Sequence, residues 1–433
     1  RVRNENSFLA DFERRSDDGF ALNDDFSQTS LNLGWRRTST NGWAIGLSGR
    51  STSYDLGIPT NLNATLTALV SSPNRRGEGN ERQISIPIQK TTGGVVWEGN
   101  LAQSRREDDF ADPDDPSGYT FGRTSSNTRR ARLTARALAF GGTIVAGAEY
   151  ERSVVDDMSS FGVNLSDAAR TERSLFLEDR LSLPVGSRSR LEISVGARHD
   201  ELEPFGSATS PRVAVAWLSG QNKLRAAYGQ AFRAPSVGEL FFPFSGNREL
   251  RPERTRSAEI GYDRVLARGH VSATLFRSSY RDLIVFDNAS FAFGNIGKAE
   301  SHGLELGLRQ EIADGLRVGL SYTLLETEQD DSGYPLLRRP RHSGTAFASY
   351  STGSASFGAV ISHTGTRDDV QPVLPFGRTS TDAYTVADLN AQLRLGSITP
   401  YVKIENLLDE RYEEIVGYPA PARRFIAGVR YVR

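Results

Sequence analysis

Apolar and polar residues alternate along many stretches of this chain. In residues 316–324 every second side chain is apolar, and the side chains between them are small or polar. The same two-residue period recurs in residues 191–198, 304–309 and 387–395. Because successive side chains of a strand point to opposite faces, this pattern predicts strands with one apolar and one polar face. Helical spacing is nowhere as sustained, so we predict an all-β fold.

Short turn signals divide the predicted strands into hairpins. They lie at residues 39–42, 91–94, 140–143, 186–189, 219–222, 267–270, 313–315, 351–354 and 395–397. Between consecutive turns the chain forms two strands joined by a longer, more polar connection, such as residues 104–128 or 365–384. With one further strand at each end of the chain, these nine turns predict about 20 strands. Tight turns at one end and long loops at the other are typical of an outer-membrane β-barrel.

The composition indicates that the apolar face of the predicted strands contacts lipid rather than a dry protein core. Only 38% of the 433 residues are hydrophobic, the mean hydropathy is -0.43, and no apolar run approaches the roughly 20 residues of a membrane helix. The alternative is the inner face of a soluble all-β protein. However, the second face is rich in Arg, Glu, Gln and Asn, which suits a water-filled lumen and would be costly to bury unpaired. We therefore predict one large antiparallel transmembrane β-barrel domain, residues 1–433, in a bacterial outer membrane.

Charge and reactive residues exclude several other classes of function. The 52 basic and 53 acidic residues leave no basic stripe for nucleic acid, and the absence of Cys excludes disulfides and thiolate sites. The five histidines are scattered, and no nucleophile motif of the G-x-S-x-G type occurs. His199 and Asp200 are adjacent, but neighbouring strand residues point to opposite faces and do not form a dyad. We predict that the protein is not an enzyme.

Several motifs resemble those of TonB-dependent outer-membrane receptors. The stretch YGQAFRAPSVGELF (228–241), followed by GNRELRPERTRSAEIGYD (246–263), is similar to an extracellular-loop segment of these receptors. Further matches follow in order at residues 295–308, 335–350 and 406–431. The segments PLLRRP (335–340) and YEEIVGYPAPARRF (412–425) most resemble the vitamin B12 (cobalamin) transporters.

The resemblance implies a function and an architecture. Receptors of this kind have about 22 strands around an N-terminal plug, so the plug, its TonB-contacting segment and the first two strands are predicted to be missing from this chain. The implied function is TonB-dependent uptake of a scarce metal chelate, either cobalamin or an iron-siderophore, without a required cofactor. The implied partners are the chelate, TonB, outer-membrane lipid and lipopolysaccharide. A passive outer-membrane pore is the alternative.

Aromatic and arginine residues of the long loops are the candidate ligand contacts, because they offer rigid contact area and donors for a planar or anionic chelate. They are Tyr119, Phe121, Phe241, Phe242, Phe244 and Arg248. Packing between loops and contact with lipopolysaccharide are alternative roles for them. Loop architecture rather than ligand contact is predicted for Phe232, Arg233, Pro235, Glu239, Leu250, Pro252 and Glu253.

Acidic residues of the first loops form a second candidate site. They are Asp17, Asp18, Asp24, Asp25 and Asp55. Calcium takes six to eight oxygen ligands, which neighbouring hairpin loops could supply. The resemblance to cobalamin receptors also implies calcium in corresponding loops. Solvated surface charge is the alternative meaning of such Asp pairs.

Overall fold

The computed structural model describes residues 5–203, 205–242, 245–287, 290–330 and 332–432. In those residues the chain forms strands and one short helix. The first strands are β1 (Glu5–Asp17), β2 (Phe26–Thr38), β3 (Trp43–Gly57), β4 (Thr60–Leu62), β5 (Leu69–Ser71), β6 (Arg76–Thr92), β7 (Val95–Ala111), β8 (Phe121–Ala139), β9 (Gly142–Ser159), β10 (Gly162–Val185), β11 (Ser189–Glu203), β12 (Gly206–Ser219) and β13 (Asn222–Arg233). After the helix α1 (Val237–Phe241) follow β14 (Glu253–Leu266), β15 (Gly269–Asp287), β16 (Ala292–Ala313), β17 (Leu316–Gln329), β18 (His342–Ser351), β19 (Ala355–Thr364), β20 (Arg367–Val370), β21 (Arg378–Thr381), β22 (Tyr384–Leu393), β23 (Ile398–Glu405), β24 (Glu413–Ile415), β25 (Tyr418–Pro419) and β26 (Arg424–Tyr431).

One antiparallel sheet contains most of these strands. Its 20 strands pair with their neighbours in chain order from β1 to β26, which agrees with the prediction of about 20 strands. The other six strands form three small hairpins, β4–β5, β20–β21 and β24–β25. Each hairpin lies in a connection at the end of the sheet that carries the long loops, which we call the loop end. The opposite end, with the short turns, is the turn end.

The long strands extend further towards the loop end than the sequence predicted. The polar stretch 104–128 was predicted to be a loop, but β7 continues to Ala111 and β8 begins at Phe121. The prediction was wrong because polar side chains on both faces do not prevent strand pairing in water. Here the two strands stay in register from Val95 to Ala111, and an ion pair between Arg123 and Asp109 joins them.

The two faces of the sheet differ sharply in polarity, as the alternation predicted. On one face large apolar side chains are exposed, for example Leu175 (64%), Val195 (53%) and Leu320 (51%). A continuous exposed apolar face of this kind is typical of a sheet that contacts lipid. None of the described residues forms a helix with the length and apolar character of a membrane span.

The sheet curls so that its first and last strands approach each other at the loop end. Nη1 of Arg424 in β26 lies 3.7 Å from Oδ2 of Asp17 in β1. In the loops above, the Leu374 N–H donates to the Leu66 carbonyl at 2.7 Å, so connections from opposite edges of the sheet touch. Within the described residues no backbone pairing joins β1 to β26. The curled sheet is therefore bridged by side chains and loops at the loop end.

Candidate functional site

The connection between β13 and β14, which we call segment 234–252, folds back on the sheet in its described residues 234–242 and 245–252. Helix α1 begins after a capping box, in which the Ser236 hydroxyl accepts from the Glu239 N–H and the Glu239 carboxylate accepts from the Ser236 N–H. Pro235, Leu240 and Leu250 are buried beneath the segment. The helix contacts β10, which is three strands away in the sheet. The segment is thus held by a small apolar core of its own.

Arg233 ties both ends of this segment together. Its Nε and Nη2 donate to Glu253 at 2.7 and 2.8 Å, and its Nη1 donates to Glu239 at 3.0 Å. Burial acts to raise the pKa of Glu239, but hydrogen bonds from Arg233 and from the Ser236 N–H outweigh it, so the pKa is lowered. These contacts agree with the prediction that Arg233, Glu239 and Glu253 serve loop architecture.

The helix presents the predicted aromatic residues together with Arg248. The guanidinium of Arg248 lies 5.1 Å from the ring centroid of Phe241, within the range of a cation–π contact. Phe242 ends the helix, and its exposed ring lies so close to Gly238 that a Cβ there would come within 2.7 Å of it. Phe244 lies outside the described residues. The structure therefore brings Phe241 and Arg248 together, with Phe242 beside them in sequence.

Tyr119 and Phe121 belong to a different loop group. The Tyr119 ring packs between Phe110 and Phe161, with centroid distances of 5.6 and 6.0 Å. Burial raises the pKa of the Tyr119 hydroxyl, and the Asp157 carboxylate raises it further. Phe121 is exposed, and its carbonyl accepts from the Ser160 N–H at 3.1 Å. Tyr119 thus takes part in packing between loops, and across the described residues no ring contact joins it to Phe241.

The predicted calcium ligands are only partly brought together. Asp25 and Asp55 both bind the guanidinium of Arg76, which supplies the positive charge that calcium would otherwise supply. Asp17 accepts from the Gly19 N–H at 2.9 Å, and Asp24 accepts from the Phe20 N–H at 3.3 Å. Across the described ranges no group of three His, Cys, Asp or Glu residues is placed to hold a metal ion. Arg76 thus neutralises two of the five predicted carboxylates, and calcium binding stays a prediction.

A buried carboxylate that the sequence analysis missed joins its own loop to two others. Asp369 is completely buried and accepts hydrogen bonds from Arg338 Nε (2.8 Å), the Val370 N–H (2.8 Å) and the Val416 N–H (3.0 Å). Burial acts to raise its pKa, but these hydrogen bonds outweigh that effect and lower it. A signal was present, because Arg338 and Val416 lie in the segments 335–340 and 412–425 that carry the resemblance. We call Asp369 and these partners the Asp369 junction.

The polar face of the sheet carries a network of ion pairs across β8 to β12. Glu178, which is nearly buried, binds Arg180 and Arg212 and accepts from the Ser194 hydroxyl at 3.0 Å. Further along, Arg198 binds Glu149, Glu172 and Asp200. Two depressions of about 690 and 620 Å³ lie along this face and share Glu178 and Arg180. The wall is therefore hydrophilic, and the ion pairs neutralise much of its charge.

Comparison with known proteins identifies the family. Residues 2–407 match the family described as TonB dependent receptor-like, beta-barrel. The chain therefore belongs to this family, which confirms the prediction made from the loop motifs.

The individual relatives are named for different transported substances. Over 243 residues the chain is 27% identical to the vitamin B12 transporter BtuB of Vibrio cholerae, covering 55% of this chain and 39% of the relative. A mutant of the ferric enterobactin receptor PfeA from Pseudomonas aeruginosa superposes with a TM-score of 0.79 at 17% identity, covering 97% of this chain and 72% of that one. The copper transporter OprC gives a TM-score of 0.81 at 15% identity, covering 98% and 75%.

These comparisons establish membership of a receptor β-barrel family and leave the transported substance open. At identities of 15–17% the solved structures show the fold alone. The chain spans less than half the length of the BtuB relative that it matches. The family is one of receptors, so neither an enzyme nor the alternative of a passive pore is favoured. The absence of a plug from this chain stays a prediction.

Proposed function

We propose that the protein is an outer-membrane receptor that imports a metal chelate, either cobalamin or an iron-siderophore, with energy delivered through TonB. The observation that carries this proposal is the segment 234–252, which holds Phe241 and Arg248 at the loop end above a hydrophilic wall. The TonB partner and the outer-membrane location rest on membership of the family.

The segment has the properties of a binding surface rather than of a mobile connection. Because Arg233 fixes both of its ends and Leu240 and Leu250 are buried beneath it, the ring of Phe241 is held in one position. A fixed aromatic ring with a guanidinium over it offers contact area at low entropic cost, together with a charged donor. Such a pair suits a large chelate with a flat or anionic surface.

The test of this function is uptake in cells. The protein, expressed from its complete coding sequence in a strain without its own cobalamin and siderophore receptors, is supplied with radiolabelled cyanocobalamin or a radiolabelled ferric catecholate siderophore. We expect accumulation of one chelate, saturable with its concentration and lost in a strain without TonB. Unsaturable entry of small solutes that is the same with and without TonB would instead establish a passive pore.

Replacing Phe241 or Arg248 by alanine is expected to weaken binding of the imported chelate. Phe241→Ala and Arg248→Ala should each raise the half-saturating concentration about 10- to 100-fold, since aromatic and arginine anchors contribute most to binding surfaces. The matched control is Phe140→Ala, an exposed phenylalanine in the short turn between β8 and β9 at the turn end of the sheet. Unchanged half-saturation in both loop variants would remove this pair from the ligand site.

A further inference from the structure

An unusual basic patch lies on the apolar face of the sheet at the loop end. It is a depression of about 220 Å³ between β12 and β15. Its lining includes Arg254, Arg256 and Arg281, with Thr209, Gln230 and Ser279 between them. We call the three arginines the arginine patch. Because they share the face of exposed apolar side chains, they point away from the hydrophilic wall.

The strand register confirms which face the patch occupies. Arg254 and Arg256 lie at alternate positions of β14 with Ile260, which is 50% exposed. Arg281 lies at alternate positions of β15 with Leu275, which is 56% exposed. Residues at alternate positions of a strand line the same face. The patch therefore marks the point at which the apolar stripe gives way to charge towards the loop end.

Like charges face each other across the strand pair in the patch. Arg254 and Arg281 are direct cross-strand partners, an arrangement of like charges that destabilises a strand pair. In the part of the chain that the structure describes, none of the three arginines forms an ion pair. The carboxylates next to them in sequence, Glu253 and Asp282, bind Arg233 and Arg251 instead.

Two other arginines on this face, near the loop end, are neutralised. Arg277, four residues before Arg281 on β15, binds Glu300 across the strand pair. Arg341 binds Glu326 beside β17. The three arginines of the patch differ from these two in having no ion pair among the described residues. Three guanidinium groups facing one depression that also offers hydroxyl and amide donors have the chemistry of a phosphate site, because guanidinium groups bind phosphate through paired hydrogen bonds.

We propose that the arginine patch binds a phosphate group of a lipid headgroup in the outer leaflet, where lipopolysaccharide supplies phosphorylated glycolipid. The inference rests on the proposed outer-membrane location. The apolar stripe through Ile260 and Leu275 would lie against the acyl chains, which brings the phosphates of the same lipid level with Arg254 and Arg281. A phosphate between these two arginines replaces their repulsion with attraction to a shared anion.

The experiment measures lipid binding by the purified protein in detergent. Delipidated wild-type protein and the double variant Arg254→Gln/Arg281→Gln are titrated with lipopolysaccharide, with enzymatically dephosphorylated lipopolysaccharide and with inorganic phosphate, and the complexes are counted by native mass spectrometry. We expect the double variant to bind lipopolysaccharide about 10- to 100-fold more weakly, because it loses both charged donors to the phosphate. Raising the salt concentration should weaken wild-type binding, as for exposed charges.

Two further variants keep the result interpretable. Arg254→Lys/Arg281→Lys preserves the charge but not the paired hydrogen bonds, so it is expected to bind more weakly than the wild type and more tightly than the double Gln variant, which separates loss of charge from loss of folding. Arg264→Gln removes an arginine near the turn end of β14 and is expected to leave binding unchanged. Trypsin resistance of the sheet establishes that each variant is folded.

Three outcomes would overturn the inference. They are equal lipopolysaccharide binding by the wild type and the double Gln variant, equal binding of the phosphorylated and dephosphorylated lipids, and competition by inorganic phosphate as strong as by lipid, which would make the patch a site for free phosphate. Because binding is measured without transport, these outcomes leave the proposed uptake function standing. A failed uptake assay likewise leaves the lipid result standing.

Discussion

Replacing Asp369 by alanine is expected to release the loops that it joins while leaving the large sheet intact. The change removes a fully buried carboxylate and leaves the Arg338 guanidinium and the Val416 N–H without their acceptor. Because the Arg338 side chain is about half exposed, the cost is that of lost hydrogen bonds to a charged group, roughly 1.5–3 kcal/mol each, and here it falls on loop docking. We expect rapid protease cleavage within residues 330–341 and 406–423, measured by mass spectrometry of limited digests.

The neighbouring carboxylate provides the matched control for this effect. Asp368 also binds an arginine, Arg378, at 2.7 Å, but both side chains are about one-third exposed. Exposed pairs of this kind contribute about 0–1 kcal/mol. Asp368→Ala should therefore leave the cleavage rate close to that of the wild type. Equal cleavage of the two variants would show that Asp369 does not hold the loops together.

The same junction is expected to open only in strong acid. Because the folded pKa of Asp369 is lowered, its contribution to loop docking is fully present above the unfolded value, about 3.9, and is lost as the pH falls through the lower folded value. Cleavage by pepsin, which is active in acid, should stay slow at about pH 4 and accelerate below the usual range of an Asp carboxyl. Acceleration already near neutral pH would contradict this assignment.

The strand framework could be predicted because it depends on local pattern. The alternation in residues 316–324 identified β17, whose first residue is Leu316, since the side-chain period of a strand is set by backbone geometry alone. The count of about 20 strands followed from short turns that need only local chemistry. The loop-end extensions of β7 and β8 were missed, because their pairing depends on partners such as Asp109 and Arg123 rather than on any alternation.

The candidate site was predictable where its residues are close in sequence and not where they are distant. Phe241 and Arg248 are seven positions apart, and their shared segment was recognised from its motif. The partners of Asp369 come from separate loops, so no local pattern reveals that a buried carboxylate joins them. Likewise nothing near Asp25 in sequence indicates that Arg76 would occupy it.

Arg233→Ala is expected to have the largest effect on the binding surface itself. The variant leaves Glu239 and Glu253 side by side, both largely buried, without the guanidinium that joins them. Each charged hydrogen-bonding partner left unpaired costs roughly 1.5–3 kcal/mol. We therefore expect segment 234–252 to detach from the sheet, so that Phe241 loses its fixed position and chelate affinity falls by about the same free energy.

Two further variants separate this effect from a general loss of charge. Arg233→Lys keeps the charge but not the forked geometry that engages two carboxylates, so it should restore only part of the affinity. Arg251→Ala removes a more exposed arginine of the same segment, paired with Asp282, and should change affinity much less. Limited proteolysis of the segment and half-saturation of uptake are measured on all three variants. If Arg233→Ala leaves both quantities at wild-type values, the segment is held by its apolar core under Leu240 and Leu250, and Arg233 is dispensable for presenting Phe241.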